Sequence, residues 1–566
     1  MKPLARALVR PPRCPRPSSA PLLLALTVRR APNHLTITGT LGSKTLSRRT
    51  YATKALQHNE PDDRQRVVIL GSGWGGYALS RNLSPAVYSP LVISPRSYFV
   101  FTPLLTDAAS GSLDFSHIVE PVRDPRHSVD YIQAAALSVD FDKKTILCES
   151  TVVKSGVTES PRSGVSGRSG FNDEGPSATA RPWEAGERFE ISYDKLIIAV
   201  GAVSRTFGTP GVRENAMFFR DIGDARRVRR RVRECFELAV QPNTSPERQK
   251  DLLHFAIVGA GATGTELAAS LRDFLNEDLI KLYPSVSGLP RITLYDVSPT
   301  VLPMFDEKLA KYAMDKLKTE GIDVRTSHHV ESLRWGPPGE EGPHPMDPKN
   351  CLTLKTKEEG EEGVGMCVWA TGNEMNNFVK NNLNELKALP AASAASEQAG
   401  GAFAPESTGT KWSVKKSSKT GSLLVEDRFR VQLVSDEGKT AVLQDVFAIG
   451  DNATPESGAL PATAQVTYQE AVWLAKRLNR RDFDKVPPFS FRNLGVMAYI
   501  GDSNALVETP DGEGGNWFLP KQLKGRTAWL VWKSAYLTMS MSWRNKLRVG
   551  FRWMLNRIFG RDISRY

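Results

Sequence analysis

Two segments of this chain are built to one plan, and together they restrict its fold class more than any other feature. Residues 67–70 (Val-Val-Ile-Leu) form an apolar run that leads into Gly71-Ser72-Gly73-Trp74-Gly75-Gly76 and a helical pattern through Leu83. Residues 255–258 (Phe-Ala-Ile-Val) lead in the same way into Gly259-Ala260-Gly261-Ala262-Thr263-Gly264, with a helix expected over 265–274. Each is G-x-G-x-x-G between a strand and a helix. The first glycine (Gly71, Gly259) permits a tight turn, and the second (Gly73, Gly261) lets backbone approach a pyrophosphate. The third (Gly76, Gly264) lets strand and helix pack closely, while the helix N-terminus supplies N–H donors and a positive dipole end. One such match is also the pattern of an ordinary glycine-rich turn. Two in matching contexts predict an α/β chain with two dinucleotide-binding, Rossmann-like domains.

The strand after the second loop, residues 292–296, ends at Asp296. A carboxylate there accepts from a ribose 2′-OH and repels a 2′-phosphate, which favours NADH over NADPH. Its distance from the loop exceeds the usual ~20 residues, as the extra stretch 276–290 explains. After the first loop the matching strand, 91–93, ends in Ser94-Pro95-Arg96, so Ser94 is the ribose candidate and no acid is present. Two more strand ends complete a flavoprotein pattern. Residues 368–372 close on Gly372, where the chain would leave the second nucleotide domain, and residues 446–451 close on Gly450-Asp451. In flavoproteins with two dinucleotide domains, this aspartate bonds the ribityl or pyrophosphate region. An isolated Gly-Asp turn is commonplace, and only its order after two fingerprints gives it meaning.

Charge separates the ends from the body. Of 74 Lys+Arg and 62 Asp+Glu, residues 1–59 hold eleven bases and no acid, and residues 521–566 hold eleven bases and one acid. The remainder has 52 bases against 61 acids, which excludes a general nucleic-acid-binding body. The Arg/Ser/Pro/Thr-rich start reads as a mitochondrial presequence (residues 1–51) cut before Ala52, with a basic tail carrying no address as the alternative. At the other end, five of the eleven tryptophans fall between Trp517 and Trp553. On a helix, Trp543, Leu547, Phe551, Met554, Leu555 and Ile558 share one face. Such a face suits a membrane surface, or else a helix packed on its own domain or on a dimer partner. Five scattered cysteines without a Cys-x-x-Cys offer neither a disulfide framework, nor a metal site, nor an iron–sulfur cluster.

These motifs, with residues 94–105 (Ser-Pro-Arg-Ser-Tyr-Phe-Val-Phe-Thr-Pro-Leu-Leu), 460–469 (Leu-Pro-Ala-Thr-Ala-Gln-Val-Thr-Tyr-Gln) and 558–565, give the chain from Arg66 to Tyr566 a resemblance to a family. It resembles the type II (alternative, rotenone-insensitive) NADH:ubiquinone oxidoreductases of mitochondria, particularly fungal ones. It departs from them at Ala262 and Thr265, and at Tyr468, where a histidine is frequent. The resemblance implies a fold of the glutathione-reductase/flavoprotein type plus a C-terminal amphipathic membrane-surface region. It implies FAD on the first fingerprint, capped by Asp451, with its ring near Thr102, Pro103 and Ala464, and NADH on the second with Asp296 on its ribose. Glu266 would stand near the nicotinamide–flavin junction, although a carboxylate in a first helical turn is also plain dipole chemistry. Gln465 and Gln469, four apart on a helix, resemble the family's quinone-site element and are otherwise ordinary surface residues.

The implied reaction passes hydride from NADH to FAD and two electrons on to ubiquinone, without proton pumping, at the inner mitochondrial membrane. The enzyme would be peripheral, with the matrix face favoured, and a homodimer. The expected domains are an FAD-binding domain over 62–250 and 373–489, an NADH-binding domain over 251–372, and a membrane-anchoring region over 490–566. Low-complexity insertions are expected near 155–186 and 388–420, and the basic run 226–233 is expected to form a solvated face. Sulfide:quinone oxidoreductases and apoptosis-inducing-factor-like flavoproteins share the architecture. The first need cysteines at the flavin, which Cys148, Cys351 and Cys367 do not match by motif; the second lack a reason for the quinone element and aromatic tail.

Overall fold

The computed structural model describes residues 64–152, 186–340, 346–347, 349–383, 385–386, 394–396, 411–510, 520–540 and 542–561. The expected presequence and its expected cleavage site, most of both low-complexity insertions, Trp517 and residues 562–566 lie outside the described residues.

Strands covered on both faces are apolar throughout, and Val67, Val68, Ile69 and Leu70 are all buried. They belong to β1 (Gln65–Leu70), which feeds α1 (Trp74–Asn82) and then β2 (Tyr88–Ser94). A short helix, α2 (Leu105–Ala109), and the strand β3 (Lys195–Ile198) follow. The second fingerprint lies between β4 (His254–Val258) and α3 (Ala262–Phe274), which leads to β5 (Arg291–Asp296) and later β6 (Met366–Trp369). The chain then returns through β7 (Thr440–Ala448) and α4 (Ala464–Arg480) to α5 (Arg526–Met539) and α6 (Trp543–Phe559).

The first sheet has a parallel centre ordered β7–β3–β1–β2, so strands from both halves of the sequence meet in one layer. The second sheet is parallel throughout, in the order Met217–Phe218, β6, β4, β5, Ile322–Thr326. It therefore starts earlier than the expected boundary at 251. Ala202–Ser204 pairs antiparallel with Asn373–Met375, a ribbon at the two places where the chain crosses between sheets. An antiparallel sheet of Val496–Tyr499, Ala505–Glu508 and Gln522–Gly525 precedes α5.

Two sequence expectations change here. The helix of the second fingerprint begins at Ala262, not 265, which moves Glu266 from the first turn to the second. The run 226–233 is not a purely solvated face: Arg229 and Arg231 are buried. Arg231 donates from Nε to the Gly365 carbonyl at 2.8 Å and from its terminal nitrogen to that of Asn350 at 2.9 Å. A guanidinium has five donors in a planar fork, so backbone carbonyls can satisfy it inside. Charge counting alone does not reveal this.

Candidate active site

Both fingerprint loops have the same geometry. Gly71 has φ +106°, and a Cβ there would stand 2.3 Å from the Ala199 carbonyl oxygen; Gly259 has φ +109°, and its Cβ would stand 2.6 Å from that of Ala370. At the third positions the crowding is greater, with a Cβ on Gly76 or Gly264 lying 1.9 Å from the carbonyl oxygen of Gly71 or Gly259. The middle glycines differ. Around Gly73 and Gly261 nothing lies within 4 Å of an added Cβ. Each is also the N-cap of its helix and has no capping side chain, so the first-turn amides face outward. Open space over a bare helix N-terminus fits the pyrophosphate of a dinucleotide. The chain offers that cradle twice, at the carboxyl end of each parallel sheet.

Side chains from distant parts of the sequence reach the first loop. Trp74 donates from Nε1 to Thr102 Oγ1 at 3.0 Å and packs against Phe99 and Phe101, which fixes Thr102 and half-buried Pro103 beside the start of α1. The Gly450-Asp451 turn, at the end of β7, lies two strands from the loop. Burial raises the Asp451 carboxyl above its ordinary value, opposed by Arg220. Asn452, which the motifs did not point to, is fully buried. It accepts from Gly201 N at 3.0 Å and donates to the Ile198 carbonyl at 2.9 Å, joining the ends of β3 and β7. Gly450 N donates to the buried Glu470 at 2.7 Å, and burial pushes that carboxyl up to about 7. Ala464 opens α4, whose N-cap Thr463 accepts from Val466 N.

Other expected residues sit differently from their motifs. Ser94 is buried, its hydroxyl 2.9 Å from that of Ser72 and accepting from Arg96 N at 3.2 Å, so it braces the loop from below. Asp296 accepts from Ala260 N inside the second loop and from Ser298 N at 2.7 Å. Gly372 has open space over it and a carbonyl that accepts from Arg205 N. Gln465 and Gln469 do share a face of α4. Each, however, uses its amide on one backbone segment: Gln465 accepts from Leu494 N at 3.0 Å and donates to the Gly495 carbonyl at 3.3 Å, while Gln469 accepts from Arg492 N at 3.1 Å and donates to the Arg492 carbonyl at 2.8 Å. One N–H of each amide remains beyond these bonds.

Glu266 is buried and accepts from Tyr499 N at 3.0 Å. Burial raises its carboxyl to about 8, helped by nearby Asp107, so the acid is largely protonated at neutral pH. Among the described residues the cysteines Cys148, Cys235, Cys351 and Cys367 are buried, their thiols pushed up to about 11 or 12 by burial. Thiols in that state are poor nucleophiles.

Known proteins share this fold. Residues 65–388 match the family described as pyridine nucleotide-disulphide oxidoreductase, and residues 493–562 match the NDH2 C-terminal domain. A probable NADH dehydrogenase of Dictyostelium discoideum is 35% identical, covering 89% of this chain and 92% of that protein. A mitochondrial external NADH-ubiquinone oxidoreductase 2 of Saccharomyces cerevisiae is 31% identical, covering 88% and 82%. The solved structure of NDH2 from Plasmodium falciparum in complex with NADH shares the fold, with a TM-score of 0.68 at 22% identity over 89% of this chain and 100% of that one. The sulfide:quinone oxidoreductase of Aquifex aeolicus is more distant in fold, with a TM-score of 0.53 at 16% identity over 88% and 96%.

Proposed function

The chain belongs to the pyridine nucleotide-disulphide oxidoreductases, in the branch that carries the NDH2 C-terminal domain, and from that premise we propose where in this fold the reaction runs. The protein is an FAD-dependent NADH:ubiquinone oxidoreductase. The observation that carries the site assignment is the repeated cradle, an open middle glycine over an uncapped helix N-terminus in each sheet. The first cradle holds FAD and the second holds NADH. When bound, FAD accepts hydride from NADH and passes two electrons to the quinone.

The protein's own part is positioning. Gly71, Gly73 and Gly76 seat one pyrophosphate, and Gly259, Gly261 and Gly264 the other. Asp451, kept in place through Gly450 and Asn452, meets the flavin side chain; Thr102, Pro103 and the α4 N-terminus at Ala464 border its ring. Asp296 has a lone pair left for a ribose hydroxyl, and Gly372 leaves room where the chain crosses out of the second domain. Ser94 acts by bracing the first loop through Ser72. Glu266 is the proton source at the junction, and Gln465 and Gln469 present their remaining N–H groups to quinone oxygens. The decisive measurement is steady-state kinetics of FAD-loaded protein with NADH, NADPH and a short-chain ubiquinone. NADH is expected to be much the better donor, and failure to oxidise NADH would overturn the assignment.

The yeast relative and a potato counterpart, 31% identical over 90% of this chain, are named as mitochondrial enzymes, and a peripheral place at the inner membrane fits the C-terminal helices. Trp543, Leu547, Phe551, Met554 and Ile558 project from α6 into solvent, and Trp543 is 78% exposed. That face meets the bilayer, with Arg548 and Arg557 at the headgroups. We also propose that the protein is a homodimer, to be checked by its mass in solution. The matrix face was the sequence expectation, whereas the yeast and potato relatives are named external; protease accessibility in intact mitochondria distinguishes the two.

A further inference from the structure

Beyond the second fingerprint, α3 continues into a π-helical stretch, Leu275–Leu279, an irregularity that recurs at functional sites. Along the way Ser270, Asp273, Glu277 and Lys281 follow Glu266 at intervals of three or four residues, which puts a polar stripe on a side of the helix that faces protein. Opposite stand Trp529, Trp532 and Trp553 of α5 and α6. Between the two lies a cavity of about 520 Å3, lined by all four stripe residues after Glu266.

Three observations give the cavity a direction. At its inner end, Asp107, Tyr499 and Trp532 line it, and these are the groups that face Glu266. In its wall, Ser270 Oγ and Asn556 Oδ1 are buried and have no protein partner among the described residues. Buried polar atoms of that kind are met by ordered water. At its outer end, Glu277, Lys281 and Arg557 lie at the surface. Asp273 sits midway, accepting from Tyr499 OH at 2.6 Å and from Asp502 N at 3.2 Å. The other charges facing it are Lys533, held over the Trp529 and Trp553 rings, and Arg561, paired with Asp278 and Glu277.

The reaction needs such a route. Quinone reduction to quinol takes two electrons and two protons; NADH brings both electrons and one hydrogen as hydride, so one proton per turnover comes from water. We propose that the cavity is the proton inlet of this enzyme, a water-filled channel along α3 that carries a proton from the surface at Glu277 and Lys281 past Asp273 to Glu266. The O–H bond of the Glu266 carboxyl breaks as the quinone oxygen takes its proton, and the resulting carboxylate, which stands behind the cavity's inner wall of Asp107, Tyr499 and Trp532, recovers one relayed through that wall from the channel. This rests on the placement of Glu266 at the reaction site and on the NADH:quinone activity.

The test uses FAD-loaded full-length protein and the variants Asp273→Asn and Ser270→Leu, the second filling the channel. Stopped-flow absorbance separates reduction by NADH, which takes no proton from water, from reoxidation by quinone, which does. The inlet predicts that both variants slow reoxidation about 10-fold with a larger solvent deuterium isotope effect, leave reduction by NADH unchanged, and that Asp273→Glu restores the rate. Infrared difference spectra give a second readout: the protonated-carboxyl band that disappears in Glu266→Gln exchanges rapidly in D2O, and more slowly in Ser270→Leu. Wild-type reoxidation and isotope effect in both variants, or unchanged band exchange, would overturn the inlet. A wild-type protein that NADH does not reduce would overturn the functional assignment instead, and the band exchange would still decide whether water reaches Glu266.

Discussion

Gly73 and Gly76 are three residues apart and differ in what a methyl group would meet. At Gly73 the space is free, and at Gly76 a Cβ would stand 1.9 Å from a carbonyl oxygen. Gly73→Ala is therefore expected to fold with near-normal thermal stability and to lose FAD affinity by about tenfold or more, because its methyl group occupies the approach of the pyrophosphate. Gly76→Ala is expected to destabilise the apoprotein itself by on the order of 2–4 kcal/mol. Flavin titration and thermal melts of the two apoproteins check this, and equal melting points for both would contradict it. Glu266 makes a pH-dependent prediction. Its carboxyl titrates near 4.5 in a free chain and near 8 when buried here, so between those values the folded state holds a proton that the unfolded state lacks. Its contribution to stability therefore falls as pH rises from about 4.5 to about 8. Glu266→Gln removes that slope, so its Tm relative to wild type should be higher at pH 8 than at pH 5, by on the order of a few degrees. A Tm difference independent of pH would count against a protonated Glu266.

At the scale of elements, α6 has two apolar sides. Val549 is buried and Trp553 packs inward, donating to Asp107 Oδ2 at 3.2 Å, while Trp543, Leu547, Phe551 and Ile558 point out. This accounts for the apolar residues that blur a simple amphipathic reading of its sequence: one set docks the helix and the other is left over. Replacing Leu547, Phe551 and Ile558 by Ser should abolish sedimentation with vesicles containing anionic lipid and spare NADH oxidation with a soluble quinone. Retained vesicle binding would remove α6 from the membrane contact. Helix α4 carries a different lesson. The four-residue spacing of Gln465 and Gln469 fixes a shared face, but that face lies against backbone at 492–495. Spacing determines which side chains travel together, whereas their partners come from a segment more than twenty residues away.

At the scale of the whole molecule, the reaction is expected to move no protons across a membrane. NADH-driven ubiquinone reduction in sealed vesicles should proceed without a pH gradient, and a gradient sensitive to uncouplers would contradict this. The sequence by itself determined the parts whose physics is local. The two glycine loops, the apolar parallel strands ahead of them, Asp296 and Asp451 at strand ends and the basic, aromatic C-terminus follow from sterics, periodicity and charge within a few residues. Tertiary structure alone decided the rest, because it depends on which distant segments exclude water together. It buried Arg229 and Arg231, used Ser94 as a brace and moved Glu266 into the second helical turn. It also brought Asp107, Tyr499 and Trp532 around that acid, where desolvation by residues far apart in sequence, helped by the Asp107 charge, holds the carboxyl protonated at neutral pH.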